Sequence, residues 1–319
     1  YIPADGDTIK LTYTGDYTQN NSFGGGGGGG TTTTTKPESK DDIADAIQSI
    51  LKYYNGKSDL SKWALYGLAV NSQEIPQSYF DALEAELTEK GGNLRLATDY
   101  AGLALLLKRT GRPLTDFAGF NILEKIYNNQ EIAKQGVNGY IFSLLVLSGE
   151  GALPEDALWT PEKIVSELVN YQNSDGGFAL SIGGASEIDI TAMALAALAT
   201  YKDGQSERID RAIAYLVNAQ NSDGTHGYGS DKTSESTAQI IVALAELGID
   251  AKDSRFVKNG KTLLDILLGY QNTDGGFAHI AGESSNAIAT EQALLALSAY
   301  QLYKQGKGGV YNFDAKLDP

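Results

Sequence analysis

The residues able to do acid–base chemistry are few, and they recur at a fixed place. Asp189 stands two residues before Thr191, and Glu235 stands two residues before Thr237. Each precedes a segment that is apolar almost throughout, Thr191–Ala199 and Thr237–Ala245. A carboxylic acid at the first turn of a buried helix has two uses. It can cap backbone N–H groups and complement the helix dipole. Desolvated, it can hold a proton and deliver it to a substrate. Recurrence at one repeat position favours capping. Asp99 is a third acid of this kind, and two such carboxylates facing each other ~5–9 Å apart would suit glycoside hydrolysis. The two histidines, His226 and His279, lie in loops beside these segments. Rim histidines could ligate a metal or the cobalt of a corrinoid, with Asp223 and Glu283 as the nearest acids. Their spacing matches no metal signature, so solvated loop histidines are the plainer expectation. Cysteine is absent, which removes disulfides, a thiolate nucleophile and Cys-ligated zinc.

The elements that position these groups repeat. One loop occurs three times: Gln172-Asn-Ser-Asp-Gly-Gly-Phe178, Gln220-Asn-Ser-Asp-Gly-Thr-His226 and Gln271-Asn-Thr-Asp-Gly-Gly-Phe277, at intervals of 48 and 51 residues. That period signals stacked helix pairs. Asp-Gly supplies a tight turn, Phe packs back between helices, and Gln bonds backbone at a helix end. Before each loop lies an amphipathic segment, such as Ile164, Val165, Leu168 and Val169 on one face. After it lies a segment apolar all round, hence buried all round. The alternation predicts outer helices near 40–55, 76–90, 115–129, 160–172, 206–220 and 259–271. It predicts inner helices near 59–71, 97–110, 136–148, 189–201, 235–247 and 288–304. Six pairs with fully buried inner helices fit a closed ring better than an open solenoid, which needs polar caps. The expected fold is an all-α (α/α)6 toroid over 40–305, with the inner-helix N-termini converging on one mouth.

Two segments stand apart. Residues 1–17 alternate, with Ile9, Leu11 and Tyr13 on one face, and read as a strand that needs a partner. Residues 18–39 contain Gly24–Gly30 and Thr31–Thr35, a low-complexity linker. Residues 306–319 form a C-terminal tail. The chain reads as a piece of a longer precursor with neighbouring domains. Its charge, 25 Lys+Arg against 40 Asp+Glu for a net −15, argues against nucleic acid and anionic membrane surfaces. No run approaches the ~18 apolar residues of a membrane helix.

Tyr215-Leu216-x-x-x-Gln220 and Leu168-x-x-x-Gln172-x-x-x-Gly176-x-Phe178 resemble the repeat of squalene and oxidosqualene cyclases, with Phe or His in place of its Trp. The wider superfamily of that resemblance holds terpenoid cyclases, protein prenyltransferase β-subunits, complement thioester domains and cobalamin carriers. The prenyltransferase zinc site and the thioester Cys-Gly-Glu-Gln both need cysteine and are ruled out here. The cyclase motif Asp-x-Asp-Asp-Thr-Ala meets Glu187-Ile-Asp-Ile-Thr-Ala192, which places Asp189 on the acid position and Ile190 on that of its partner. Asp5-Gly6-Asp7-Thr8-Ile9 and Tyr13 resemble the last strand of a transcobalamin-like β-domain, which implies a bacterial surface protein.

Tyrosine outnumbers the other aromatics, 18 against 9 Phe and 2 Trp. Trp63, Tyr66, Tyr100, Tyr140 and Tyr228 fall near inner-helix starts or mouth loops, where they would pack the core or wall a half-polar pocket. A hydrocarbon cyclase would want Phe and Trp there to face cations. The leading expectation is therefore a non-catalytic, secreted or cell-surface binding module. Its ligand would sit among Trp63, Tyr66, Asp99, Tyr100, Tyr140, Asp189, His226, Tyr228, Glu235 and His279. A corrinoid is the first candidate, as the resemblance to the cobalamin carriers implies, and no other cofactor and no metal is assigned. The alternatives are a structural cell-wall spacer or adhesin, and an enzyme: a terpenoid cyclase or a polysaccharide-active enzyme using Asp189, Glu235 and Asp99.

Overall fold

The structure is a computed structural model, and it describes residues 40–228, 231–315 and 317. The strand and linker expected over residues 1–39 lie outside the described residues. Twelve helices are found among those described. The outer ones are α1 (Lys40–Tyr54), α3 (Gln77–Glu89), α5 (Ile122–Tyr127), α7 (Pro161–Leu168), α9 (Lys202–Asn218) and α11 (Leu263–Leu268). The inner ones are α2 (Lys62–Val70), α4 (Ala97–Arg109), α6 (Val137–Leu147), α8 (Ile188–Leu198), α10 (Ser234–Leu247) and α12 (Ala287–Lys304). Each inner helix packs on the next, α2 on α4 through to α10 on α12, and α12 packs on α2. The ring closes, and the all-α toroid is confirmed.

The two faces follow from composition. All eleven residues of α6 are buried, as are ten of eleven in α8. The amphipathic α7 buries only Ile164, Val165 and Leu168. Two outer helices are shorter than their periodicity suggests. Residues Phe117 and Phe120, and likewise Lys258 and Lys261, pair across tight turns at Ala118-Gly119 and Asn259-Gly260. All four turn residues have φ between 51° and 78°, the left-handed pairing of a two-residue hairpin turn. The helix then starts late, capped by Asn121 or Thr262.

The repeated loops lock the layers. Gln172 Nε2 donates to Gly176 O at 2.9 Å and to Arg208 O, in the next outer helix, at 2.8 Å. Gln220 does the same to Gly224 O and Phe256 O, and Gln271 to Gly275 O and Ala46 O. The last bond ties the final repeat to α1. Asp175 accepts from Gly177 N and Ser186 Oγ, and Asp274 from Gly276 N and Ser285 Oγ. Periodicity of helices alone does not reveal the short hairpins that follow: β1 (Phe178–Ala179) with β2 (Ser186–Glu187), β3 (Gly227–Tyr228) with β4 (Asp231–Lys232), and β5 (Phe277–Ala278) with β6 (Ser285–Asn286).

Candidate active site at the mouth of the ring

Thr191 and Thr290 seat the loops on the inner helices. Their hydroxyls accept from Phe178 N at 2.8 Å and Phe277 N at 2.9 Å, and donate to Glu187 O and Asn286 O. Phe178 and Phe277 are thereby driven into the core, each worth roughly 1.5–3 kcal/mol on burial. Asp189 lies two residues before one of these anchors, in the first turn of α8. The residue is half-buried, but its Oδ1 is shielded from solvent. Burial pushes the carboxyl up to about 6, eased by a hydrogen bond from Ser236 on α10 and reinforced by the nearby Glu235 and Glu187 charges.

Glu235, 2% exposed, takes His279 Nδ1 at 2.9 Å on both carboxylate oxygens. Ser234 Oγ donates to Glu235 Oε2 at 3.2 Å and to Ala278 O at 2.7 Å. The histidine is about one-third exposed, so the pair runs from solvent to a buried carboxylate. Glu235 thus bonds the first residue of its own helix and a loop histidine, while Asp189 takes Ser236 from α10. Asp99 caps its helix, accepting from Leu96 N at 3.1 Å. Its surrounding charges are Lys62, Arg95 and Lys90 rather than the other two acids. Asp189 and Glu235 lie close enough for their charges to act on each other, whereas Asp99 stands apart from both.

Further groups at this end were missed in the sequence. Glu291, in the first turns of α12, is buried and pushed up to about 7 by desolvation, and Ser61, the N-cap of α2, donates to its Oε2. Gln239 Nε2 donates to Gln292 Oε1 at 3.2 Å, linking α10 to α12. The available signal was a charged or amide side chain inside an otherwise apolar helix, as in Ala-Ile-Ala-Thr290-Glu-Gln-Ala. First-turn groups of α8 and α10, and of α2 and α12, thus meet side by side, so the inner helices start at one mouth.

Several expected wall residues lie elsewhere. His226 is fully buried, against Phe256, with Nε2 on Leu216 O at 3.2 Å. Burial holds it down at about 4, a neutral core imidazole in the slot that Phe fills in the sister repeats. It is not a rim residue. Asp223 is taken by Lys232 and Thr225, and among the described residues no cluster of three His, Cys, Asp or Glu could hold a metal. Tyr66 is buried towards the opposite end, donating to Val310 O at 2.6 Å. Tyr100 bonds Leu94 N and Gly92 O and borders an outer cleft, and Tyr140 packs between layers on Trp159 and Tyr171. Of Tyr228 only the backbone, paired with Asp231, is described. Trp63 does lie inside: it meets Phe142 of α6 at 5.6 Å across Gly102 of the intervening α4. Tyr66 meets the same Trp63 edge-on at 6.3 Å.

The arrangement can hold a proton on a shielded carboxyl next to a polar belt. A drimenyl diphosphate synthase of Streptomyces showdoensis is 34% identical over 134 residues, 41% of this chain and 25% of that protein. One from Streptantibioticus cattleyicolor is 32% identical over 136 residues, again 41% and 25%. The matched stretch thus spans about a quarter of these relatives. They overturn the expectation of a non-catalytic corrinoid-binding module, which had rested on counting tyrosines and on a degenerate acid motif. Among solved structures, Candida albicans protein geranylgeranyltransferase-I complexed with GGPP superposes with a TM-score of 0.53 at 14% identity, covering 82% of this chain and 92% of that one. The ent-copalyl diphosphate synthase from Streptomyces platensis gives 0.52 at 19%, covering 82% and 51%. Both show the fold alone. The family profile described as prenyltransferase alpha-alpha toroid domain matches residues 121–308, more than half of the chain, and the chain belongs to that family.

Proposed function

We propose that this chain is the acid-bearing toroid of an isoprenoid cyclase that starts its reaction by protonating an alkene, with Asp189 as the acid. The observation that carries the reading is the Asp189 carboxyl: shielded, bonded by Ser236, and protonated up to a pH of about 6. In the first step the Asp189 O–H bond breaks, and the alkene π pair forms the new C–H bond. The cation appears on the more substituted carbon. A neighbouring alkene closes a ring onto it, and loss of a proton ends the sequence. Ile190 stands where the resembled motif has a second carboxylate. Here Ser236 and the negative field of Glu235 take over the poising of the acid. Trp63 and Phe142 offer ring faces to the cation, and the solvent-reaching His279–Glu235 pair offers a route for protons back to the mouth.

The test is incubation of the purified chain with farnesyl diphosphate, geranylgeranyl diphosphate and squalene, with extraction and mass spectrometry. A cyclic isomer of any of these, absent with Asp189→Asn, supports the reading. If no product forms and no substrate quenches Trp63 fluorescence, the reading fails.

A further inference from the structure

Where the inner helices end, the ring is crossed by residues 309–315 and 317, which follow α12 through an exposed turn at Gln305–Gly308. The hydrogen bonds that the ring makes to this segment go to its main chain. Arg109, 1% exposed at the end of α4, donates to the carbonyls of Asn312, at 3.1 Å, Val310, Phe313 and Ala315. Tyr66 Oη also donates to Val310 O. Glu246, in the last turn of α10, accepts from Tyr311 N at 3.0 Å. On α2, Leu317 N donates to Val70 O at 3.2 Å, and Ser72 Oγ donates to Leu317 O. Groups from three inner helices and the turn after α2 converge on one extended stretch.

Side chains add pockets at intervals. Val310, Ala315 and Leu317 are buried, whereas Asn312 and Asp314 are exposed. Tyr311 stacks on Tyr66 at 6.2 Å, and the Arg109 guanidinium lies 5.3 Å from the Phe313 ring. A Cβ at Gly309 would stand 2.1 Å from Glu246 Oε1, so the segment must enter past a glycine. A cavity of about 350 Å³ remains beside it, lined by Leu145, Ala196, Thr200, Glu246 and Phe313 among others. Main-chain bonds with pockets for alternate side chains are how folded domains bind extended peptides.

We propose that the base of the ring is a peptide-binding site that reads main chain, and that residues 309–315 are its ligand held in cis. The ring folds around its own helices and takes the segment as a guest, independently of the acid chemistry at the mouth. The test starts from the full chain. A protease recognition site is inserted in the exposed Gln305–Gly308 turn and cut after folding, and a fluorescent peptide of residues 309–319 is then added. The cut protein should keep its helical circular dichroism, and the labelled peptide should replace the cleaved segment saturably by anisotropy. A peptide carrying Tyr311→Pro, which removes the N–H given to Glu246, should bind at least about tenfold more weakly. A peptide with Asp314→Ala should bind within about threefold of the parent, because that side chain is exposed. Loss of helix on cutting, or equal binding of the Pro peptide, would overturn the proposal and make the segment an inseparable part of the core.

Discussion

The two ends of the ring hold buried carboxylates in opposite ways. At the mouth, Asp189 and Glu235 sit in first turns, where the positive ends of α8 and α10 favour negative charge, and Glu291 lies one turn into α12. Their partners there are side chains: Ser236, His279 and Ser61. At the base, Glu246 sits in a last turn, where the dipole opposes it, and burial pushes it up to about 7. Its partners are the Tyr311 amide and the Arg109 charge, and Arg109 also fills the carbonyl sites that C-terminal turns and the crossing segment leave open. The difference teaches which end is for structure. Polar groups at the base are spent on the chain's own backbone, whereas those at the mouth bond to one another and can re-bond to a substrate.

That contrast can be broken most forcefully at the base. Arg109→Leu strands four carbonyls, and loss of one partner in such a buried set costs about 3–5 kcal/mol. Thermal unfolding by circular dichroism should show a fall of about 10 °C, at about 2–4 °C per kcal/mol for a chain of this size. Asp189→Asn at the mouth should leave the melting temperature unchanged or raised.

The next effect separates the ends by pH. Glu246 and Glu291 each have a folded pKa pushed from 4.5 to about 7. The native state therefore binds more protons than the unfolded chain between those values, and this stabilisation is lost as pH rises through about 7. Glu246→Gln and Glu291→Gln should each stabilise the protein at pH 8, by about 1–3 kcal/mol. The gain should shrink towards nothing below about pH 5 in urea titrations. The buried His226 works the other way. Its folded value of about 4 makes the native state lose stability as pH falls below the ordinary histidine range.

Within the mouth the three repeats can be set against each other. Thr290→Val removes the acceptor of Phe277 N and should cost about 1–2 kcal/mol. Thr237→Val, at the matching position of the His226 repeat, should be neutral or stabilising, because that buried hydroxyl has no partner among the described residues. The smallest effect is His226→Phe, which restores the sister residue and relieves a buried Nδ1 without a partner; a gain of about 1 kcal/mol is expected in the same denaturation series.

Helix order, ring closure and the loop anchors were legible in the sequence, because apolar periodicity and the Gln-Asn-x-Asp-Gly repeat are local signals. The site was legible only in part. Asp189 and Glu235 stood out by position, but Glu291 and Ser61 meet across the closing seam between α12 and α2, a contact 230 residues apart in sequence. His226 was misplaced at the rim because a loop histidine looks solvated unless the Phe of its sister loops is known to point inward. The tyrosine count misled for a like reason. Tyr100 and Tyr140 face the seams, whereas Trp63 meets Phe142, far off in sequence, and Tyr66 inside the ring. The hold of Arg109 on residues 310–315 has no sequence signature, because main-chain acceptors are the same for every residue.

The central claim is that Asp189 gives its proton to a carbon atom. It is tested most directly by running the reaction in deuterium oxide with whichever of the three isoprenoid substrates is turned over, and weighing the product. The account predicts a cyclic product with one carbon-bound deuterium, formation that declines as pH rises through about 6, and no product from Asp189→Asn. A cyclic product without deuterium, or undiminished turnover by Asp189→Asn, would contradict it.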